Sequence, residues 1–260
     1  LNHGIFNSKG KYIARMDADD YSHEIRLQVQ VDYLEQNNDI DLVSGQVNYV
    51  GDQSRNEGYF LYVNWANSIK NSEGIYLNRF CESAIPHPSV MFRKSLGQQF
   101  GFYRQGNFPE DFELWNRWMS QGVRMSKVHQ TVLDWHDSPG RLSRMHSMYG
   151  VDRFSQIKAQ FFTKWFEKKF PTHSSDLYIW GAGGTVKKKT KPLEECGLKI
   201  SKFIDVKKSQ SSRSIFYQDL KFDPDIFILS YVGDRKGKLE IRDYLKNLGF
   251  KEGKNFYMME

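Results

Sequence analysis

Apolar and polar positions change period several times along the chain, and these changes outline alternating strands and helices. Lys11–Met16 reads as a short strand running into an acidic cluster, and Glu24–Gln36 carries Leu27, Val31 and Leu34 at helical spacing. Asp39–Val47 reads as a buried strand ended near Gly45, and Ser89–Phe92 as a short strand after the Pro86-His87-Pro88 turn. Glu110–Gln121 reads as a helix that opens after Pro109 with two acids in its first turn, where the helix dipole favours them. Thr131–Trp135 is a last strand before a polar loop. This alternation predicts a three-layer α/β domain over residues 1–150.

A different pattern follows. Val151–Phe170 places Phe154, Ile157, Phe161 and Trp165 at helical spacing with Lys158, Lys164, Lys168 and Lys169 around them, an amphipathic basic helix stopped by Pro171. Its aromatic stripe is expected to pack against the first domain, the alternative being a peripheral contact with an anionic membrane leaflet. His173-Ser174-Ser175 reads as linker, so residues 151–175 form a helix and connector. Residues 176–260 then repeat the α/β theme: strands Leu177–Trp180, Lys199–Ile204 and Ile226–Tyr231, a helix to about Cys196, and a helix Lys238–Leu248. A glycine turn, Gly181-Ala182-Gly183-Gly184, joins the first of these strands to its helix, and Asp205 follows about 20 residues on, as in the dinucleotide-binding plan. Val186 stands where that plan has its third glycine. This unit resembles the small Rossmann-like domains found beside sugar-modifying enzymes, which makes Gly181, Gly183, Gly184 and Asp205 candidate nucleotide-binding residues, with a scaffolding role as the alternative.

Composition narrows the classes. At 260 residues, 39 % hydrophobic and 15 % aromatic, the chain has the makings of a core and is not a disordered tail. Residues 1–150 hold 15 Lys and Arg against 17 Asp and Glu, net −2, while the remaining 22 and 14 give residues 151–260 net +8. The basic half carries no nucleic-acid motif, and Lys187, Lys188, Lys189 and Lys191 read as a solvated face, so no nucleic-acid partner is expected. Cys81 and Cys196 are too few and too far apart for a disulfide framework or a cysteine zinc site. The longest apolar run, Ile226–Val232, is far short of the ~20 residues of a bilayer span, and no signal segment opens the chain. A cytoplasmic protein is the expectation.

Asp17-Ala18-Asp19-Asp20 follows an apolar strand directly, at the place where α/β sheets bind ligands. A spacing of two along extended chain puts Asp17 and Asp19 on one side, and paired carboxylates suit Mg2+ or Mn2+. The competing reading is a surface turn capping the next helix. The stretch Leu1-Asn2-His3-Gly4-Ile5, then Lys9–Asp20 (KGKYIARMDADD), then Arg26, Leu27 and Gln30, resembles family 2 glycosyltransferases of the GT-A fold. Further blocks follow in that family's order: Asp39–Gly45 (DIDLVSG), His87–Arg93 (HPSVMFR) and Glu110–Trp115 (EDFELW).

The resemblance implies an inverting, metal-dependent transferase that moves a sugar from a nucleotide-sugar, a UDP-sugar by implication, to a saccharide or lipid-linked acceptor in bacterial surface glycan synthesis. Asp19 then holds the metal and Asp17 the donor; Asp111 is the general base, with Glu110 and His87 at the acceptor. His136 is a further candidate metal ligand and Arg141 a candidate partner of the diphosphate. For Asp111 a plain helix-terminal acid, and for His136 a loop histidine facing solvent, remain open at this stage. Tyr59–Phe80, rich in aromatics but without clear period, reads as an acceptor loop. The chain enters the family pattern only at Leu1, and its first methionine is Met16. The expectation is an N-terminally truncated GT-A-type domain lacking its first strands, which transfers sugar poorly or not at all, plus a Rossmann-like domain. The alternative function is a non-catalytic fragment whose Rossmann-like domain binds a nucleotide or a protein partner.

Overall fold

The computed structural model describes residues 1–138, 149–171 and 176–260. Its contacts divide the chain into two compact units, one of Leu1–Arg79 with Ser83–Tyr149, the other of Phe80–Glu82 with Gly150–Glu260.

The first unit is built on a mixed sheet of β1 (Tyr12–Ala14), β2 (Tyr21–Ser22), β3 (Leu42–Val50), β4 (Met91–Arg93) and β5 (Met125–His136), in the order β1-β4-β3-β5-β2. β3 and β5 run parallel, and β1–β4, β4–β3 and β5–β2 antiparallel. Alternation along the strands sends side chains to two cores. Leu42, Phe92 and Met125 meet Leu114, Trp115 and Trp118 of the helix Glu110–Ser120. Val43, Met91 and Leu133 meet Leu34 of the helix Arg26–Gln36 on the other face. The three layers follow from this period-2 alternation between period-3.6 helices.

Three expectations change. The helix Arg26–Gln36 buries Arg26, Gln30 and Leu34, and leaves Leu27 56 % exposed, so its inner face is a polar seam rather than the predicted leucine stripe. β3 does not end at Gly45 but runs on to Val50 through a register shift there, and a Cβ on Gly45 would lie 2.4 Å from a Val132 methyl. Glycine admits the partner strand closely rather than terminating this one. Tyr59–Phe80 is not a loop: it holds the helices Glu57–Ser68 and Ser72–Asn78. Apolar residues all round the first of these erase the one-sided stripe that periodicity detects.

β5 also starts six residues earlier than its pattern predicts, because Lys127 interrupts the apolar run. Lys127 is 2 % exposed, and its Nζ donates to the carbonyls of Ala66 (2.6 Å) and Ala84 (3.1 Å). Burial, with Lys70 nearby, lowers its pKa to about 7. Below that pH the folded state carries a buried ammonium; between about 7 and the ordinary lysine value near 10.5 the unfolded chain binds the extra proton, so stability rises with pH. Urea unfolding of the native chain is expected to gain stability from pH 7 to 10, and Lys127→Met to flatten that slope. Equal slopes in the two proteins would refute it.

The second unit carries β6 (Asp176–Trp180), β7 (Ile200–Asp205), β8 (Ser214–Phe216), β9 (Ile226–Ser230) and β10 (Phe256–Met258), all parallel, in the order β10-β9-β6-β7-β8. Read in chain order this is 5-4-1-2-3, the doubly wound arrangement whose direction reverses between β6 and β9. The helix Val151–Lys169 belongs here: Phe162 and Phe166 are buried, and Phe166 and Trp165 set their rings 5.4 and 5.7 Å from Phe227. Aromatic residues of this helix thus pack on the sheet of its own unit. No helix among the described residues is long and apolar enough to cross a membrane.

Candidate functional site

β1 delivers the acidic loop. Its register with β4 (Ile13 beside Phe92) continues through the Arg15 N–H, which donates to the Val90 carbonyl at 3.0 Å. The chain then turns, Asp20 N–H returning to the Asp17 carbonyl at 3.3 Å, before β2 pairs with β5. Arg26 supports this loop from beneath: 1 % exposed, it donates to the Arg15 carbonyl at 2.6 Å, and burial with the neighbouring Arg15 charge lowers its pKa to about 10. Gln30 donates to the carbonyls of Ser89 (2.8 Å) and Val43 (3.3 Å), tying the same helix to β3 and the segment before β4.

The turn gathers three carboxylates rather than the two expected from extended chain. One oxygen each from Asp17, Asp19 and Asp20 lies within 4.8 Å of the others. Asp20 is buried and accepts the His136 backbone N–H at 2.9 Å, which brings the end of β5 to the loop. Asp19 is exposed and receives Ser138 Oγ at 3.4 Å. Asp17 is gripped by Arg15 through both guanidinium ends, at 2.7 and 2.6 Å. Hard oxygen donors in this number suit Mg2+ or Mn2+. Arg141 lies outside the described residues.

A second group stands at the start of the helix Glu110–Ser120, whose first turn holds Glu110, Asp111 and Glu113. Glu110 Oε2 accepts from Tyr149 at 2.6 Å, and its other oxygen lies 3.9 Å from His87 Nδ1. His87 is buried under the Trp115 edge, with Nε2 2.7 Å from the Tyr103 hydroxyl. Burial, assisted by the Arg15 charge, holds its pKa well below the usual histidine value, so it is a neutral wall of the site and no base at neutral pH. The two groups share one electrostatic environment. Burial raises the Tyr103 phenol, and after it the charges of Arg15, Asp111, Glu110 and Asp17 all act there. Tyr149 is raised by burial, by Glu110 and by Asp111, with Arg15 opposing the shift. Sequence reading missed Arg15, Asp20, Tyr103 and Tyr149. The arginine stands inside the quoted motif, but nothing in the sequence pairs the two tyrosines with the carboxylates.

In the second unit the glycine turn sits at the carboxyl end of β6. Gly181 has φ +116°, and a Cβ there would lie 3.0 Å from Val186, so the residue in the third glycine's place packs directly on the first. Nothing lies within 4 Å of a Cβ on Gly183 or Gly184. Asp205 ends β7 and accepts the Lys207 N–H at 3.0 Å. These residues occupy the corresponding positions of a dinucleotide-type plan, with the helices Gly184–Glu195 and Arg235–Asn247 starting on either side of the switch point.

Residues 1–100 match the model of glycosyl transferase family 2. Among curated proteins, a UDP-Gal:alpha-D-GlcNAc-diphosphoundecaprenol beta-1,3-galactosyltransferase of Escherichia coli is 28 % identical over 163 residues, covering 62 % of this chain and 56 % of that protein. The O-antigen biosynthesis glycosyltransferase WbnJ of Escherichia coli is 26 % identical over 137 residues, covering 52 % of this chain and 51 % of that protein. The chain thus spans about half the length of these relatives. Among solved structures, the mannosyltransferase PcManGT from Pyrobaculum calidifontis, in complex with GDP-Man and Mn2+, is 15 % identical with a TM-score of 0.36, over 75 % of this chain and 46 % of that one.

Proposed function

We propose, from the premise that this chain is a family 2 glycosyltransferase through its GT-A-type first unit, that it transfers a sugar from a nucleotide-sugar to a hydroxyl of a saccharide or lipid-linked acceptor in surface-glycan assembly, with inversion and with a divalent cation. The convergence of Asp17, Asp19 and Asp20 within 4.8 Å carries this reading. A loop with three acids, one of which, Asp17, acts on Tyr103 together with Glu110 and Asp111, disfavours a diphosphate unless a cation intervenes. Asp19, the exposed member, would hold Mn2+ or Mg2+, with Asp17 and Asp20 beside it and His136 placed by its N–H bond to Asp20. Bound there, the cation would act as a Lewis acid on the leaving diphosphate, an effect of several kcal/mol. Asp17 orients the donor, and Arg141 pairs with its diphosphate. Asp111 accepts the proton of the attacking hydroxyl. Glu110, fixed by Tyr149, and His87 shape the acceptor side. A UDP-sugar is the donor class favoured by the galactosyltransferase relative, and the O-antigen relative supports a surface-glycan acceptor.

A second reading rests on the 5-4-1-2-3 strand order and the open turn at Gly183 and Gly184: the second unit binds a nucleotide phosphate there, Asp205 reaching its ribose. One titration separates the two. UDP is expected to bind the chain in the presence of Mn2+, and Asp19→Asn to weaken that binding at least about tenfold, the scale of one lost charge–charge contact in a partly exposed site. Mn2+-independent UDP binding that survives Asp19→Asn would move the nucleotide to the second unit and count against the first reading.

A further inference from the structure

We infer that Arg15 is the internal counter-ion of the acidic loop, a positioning residue that holds Asp17 against an incoming divalent cation and so sets the affinity of the site for metal. This rests on the proposed reading of that loop as the cation site. Its geometric basis is the two-pronged pair, both carboxylate oxygens of Asp17 being engaged at 2.7 and 2.6 Å. Such fork-to-fork contacts are stronger and more directional than a single lysine contact.

The pair is also sheltered. The Arg15 side chain is 14 % exposed and that of Asp17 33 %, so water screens them less than an open surface pair. The backbone of Arg15 is pinned on both sides, its N–H on Val90 and its carbonyl under Arg26, while Nε is buried with no partner among the described residues. Among the described residues, Asp17 is the side chain that the guanidinium engages.

The three acids then differ in their availability. Asp19 is exposed, Asp20 has one oxygen engaged by the His136 N–H, and Asp17 carries a cation of its own. Asp19 would be the residue most open to a divalent ion, and Asp17 could join it only if Arg15 released the same oxygens.

The test uses Mn2+ alone as the probe, with free ion followed by electron paramagnetic resonance, on the whole chain. Arg15→Met is expected to tighten Mn2+ binding at least about tenfold, because deleting a unit positive charge beside a divalent ion removes twice the repulsion of a unit pair. The change should vanish when Arg15→Met is made in an Asp17→Asn background, because the coupling runs through that carboxylate. Arg15→Lys, which keeps the charge but loses the fork, guards against a folding defect and should fall between. Unchanged or weaker Mn2+ binding in Arg15→Met, or the same gain in both backgrounds, overturns the inference while Asp19-dependent binding of the native chain leaves the metal reading standing. If neither protein binds Mn2+ through Asp19, the metal reading fails and the inference fails with it.

Discussion

Asp111→Asn is expected to lower turnover by about 10²–10⁴-fold, the usual contribution of a positioned general base, while donor affinity stays within a few-fold of the native chain. The argument begins with the neighbouring carboxylate. Glu110 spends one oxygen on the Tyr149 hydroxyl at 2.6 Å and turns the other towards a His87 that burial keeps neutral. Glu110, fixed by that bond, is placed to hold an acceptor, and the proposed base is its neighbour Asp111, whose Oδ1 accepts the Phe112 N–H at 2.8 Å. Glu110→Gln should therefore raise the acceptor KM more than it lowers kcat. The measurement is release of nucleoside diphosphate at saturating donor, with acceptor varied. An Asp111→Asn enzyme retaining a tenth or more of native kcat, or the larger kcat loss falling on Glu110→Gln, would show that the base has been misassigned.

The placement of the two acidic groups was legible in advance because each is local. An acidic tetrapeptide after a strand, and a pair of acids after a proline, each announce themselves within a few residues, and the structure keeps them at a strand end and a helix start. What stayed hidden is carried by distant pairs. Tyr149 reaches Glu110 across 39 positions, Tyr103 reaches His87 across 16, and Asp20 reaches His136 across 116. No periodicity encodes such contacts. The fold follows the same division: strands and helices with one apolar face were readable, whereas three kinds of burial misled. Arg26 and Gln30 bury a polar face, Lys127 buries a charge inside a strand, and the helix Glu57–Ser68 is apolar on several sides. In each case tertiary hydrogen bonding or packing, not pattern, decides which residues are inside.

The second large effect concerns stability, and it arises one turn further along the same helix. Glu113→Ala is expected to destabilise the first unit by about 3–5 kcal/mol, the cost of leaving a buried charge without its partner. Arg117, 6 % exposed, donates to Glu113 at 2.8 and 3.2 Å and to the carbonyls of Phe100 (2.5 Å), Gly101 (3.0 Å) and Phe102 (2.6 Å). Those carbonyls lie at and just beyond the end of the helix Lys94–Phe100, which the guanidinium closes together with Trp118 Nε1, a donor to the Gly101 carbonyl at 3.0 Å. Glu113, 3 % exposed, supplies the countercharge from the preceding turn of Glu110–Ser120. Without it the guanidinium must draw in water or abandon the carbonyls, and the chain leading to Tyr103 loosens with it. Glu113→Gln, which keeps an acceptor but not the charge, should cost less than Glu113→Ala. Urea denaturation of the three proteins is the measurement, with the tryptophan signal of Trp115 and Trp118 as probe. A loss below about 1 kcal/mol for Glu113→Ala would mean that the pair is no more than a surface ion pair in its energetics. The acidic run Glu110-Asp111-Phe112-Glu113 would then owe its third acid to something other than the fold, whereas the expected loss assigns that third acid to the frame of the helix.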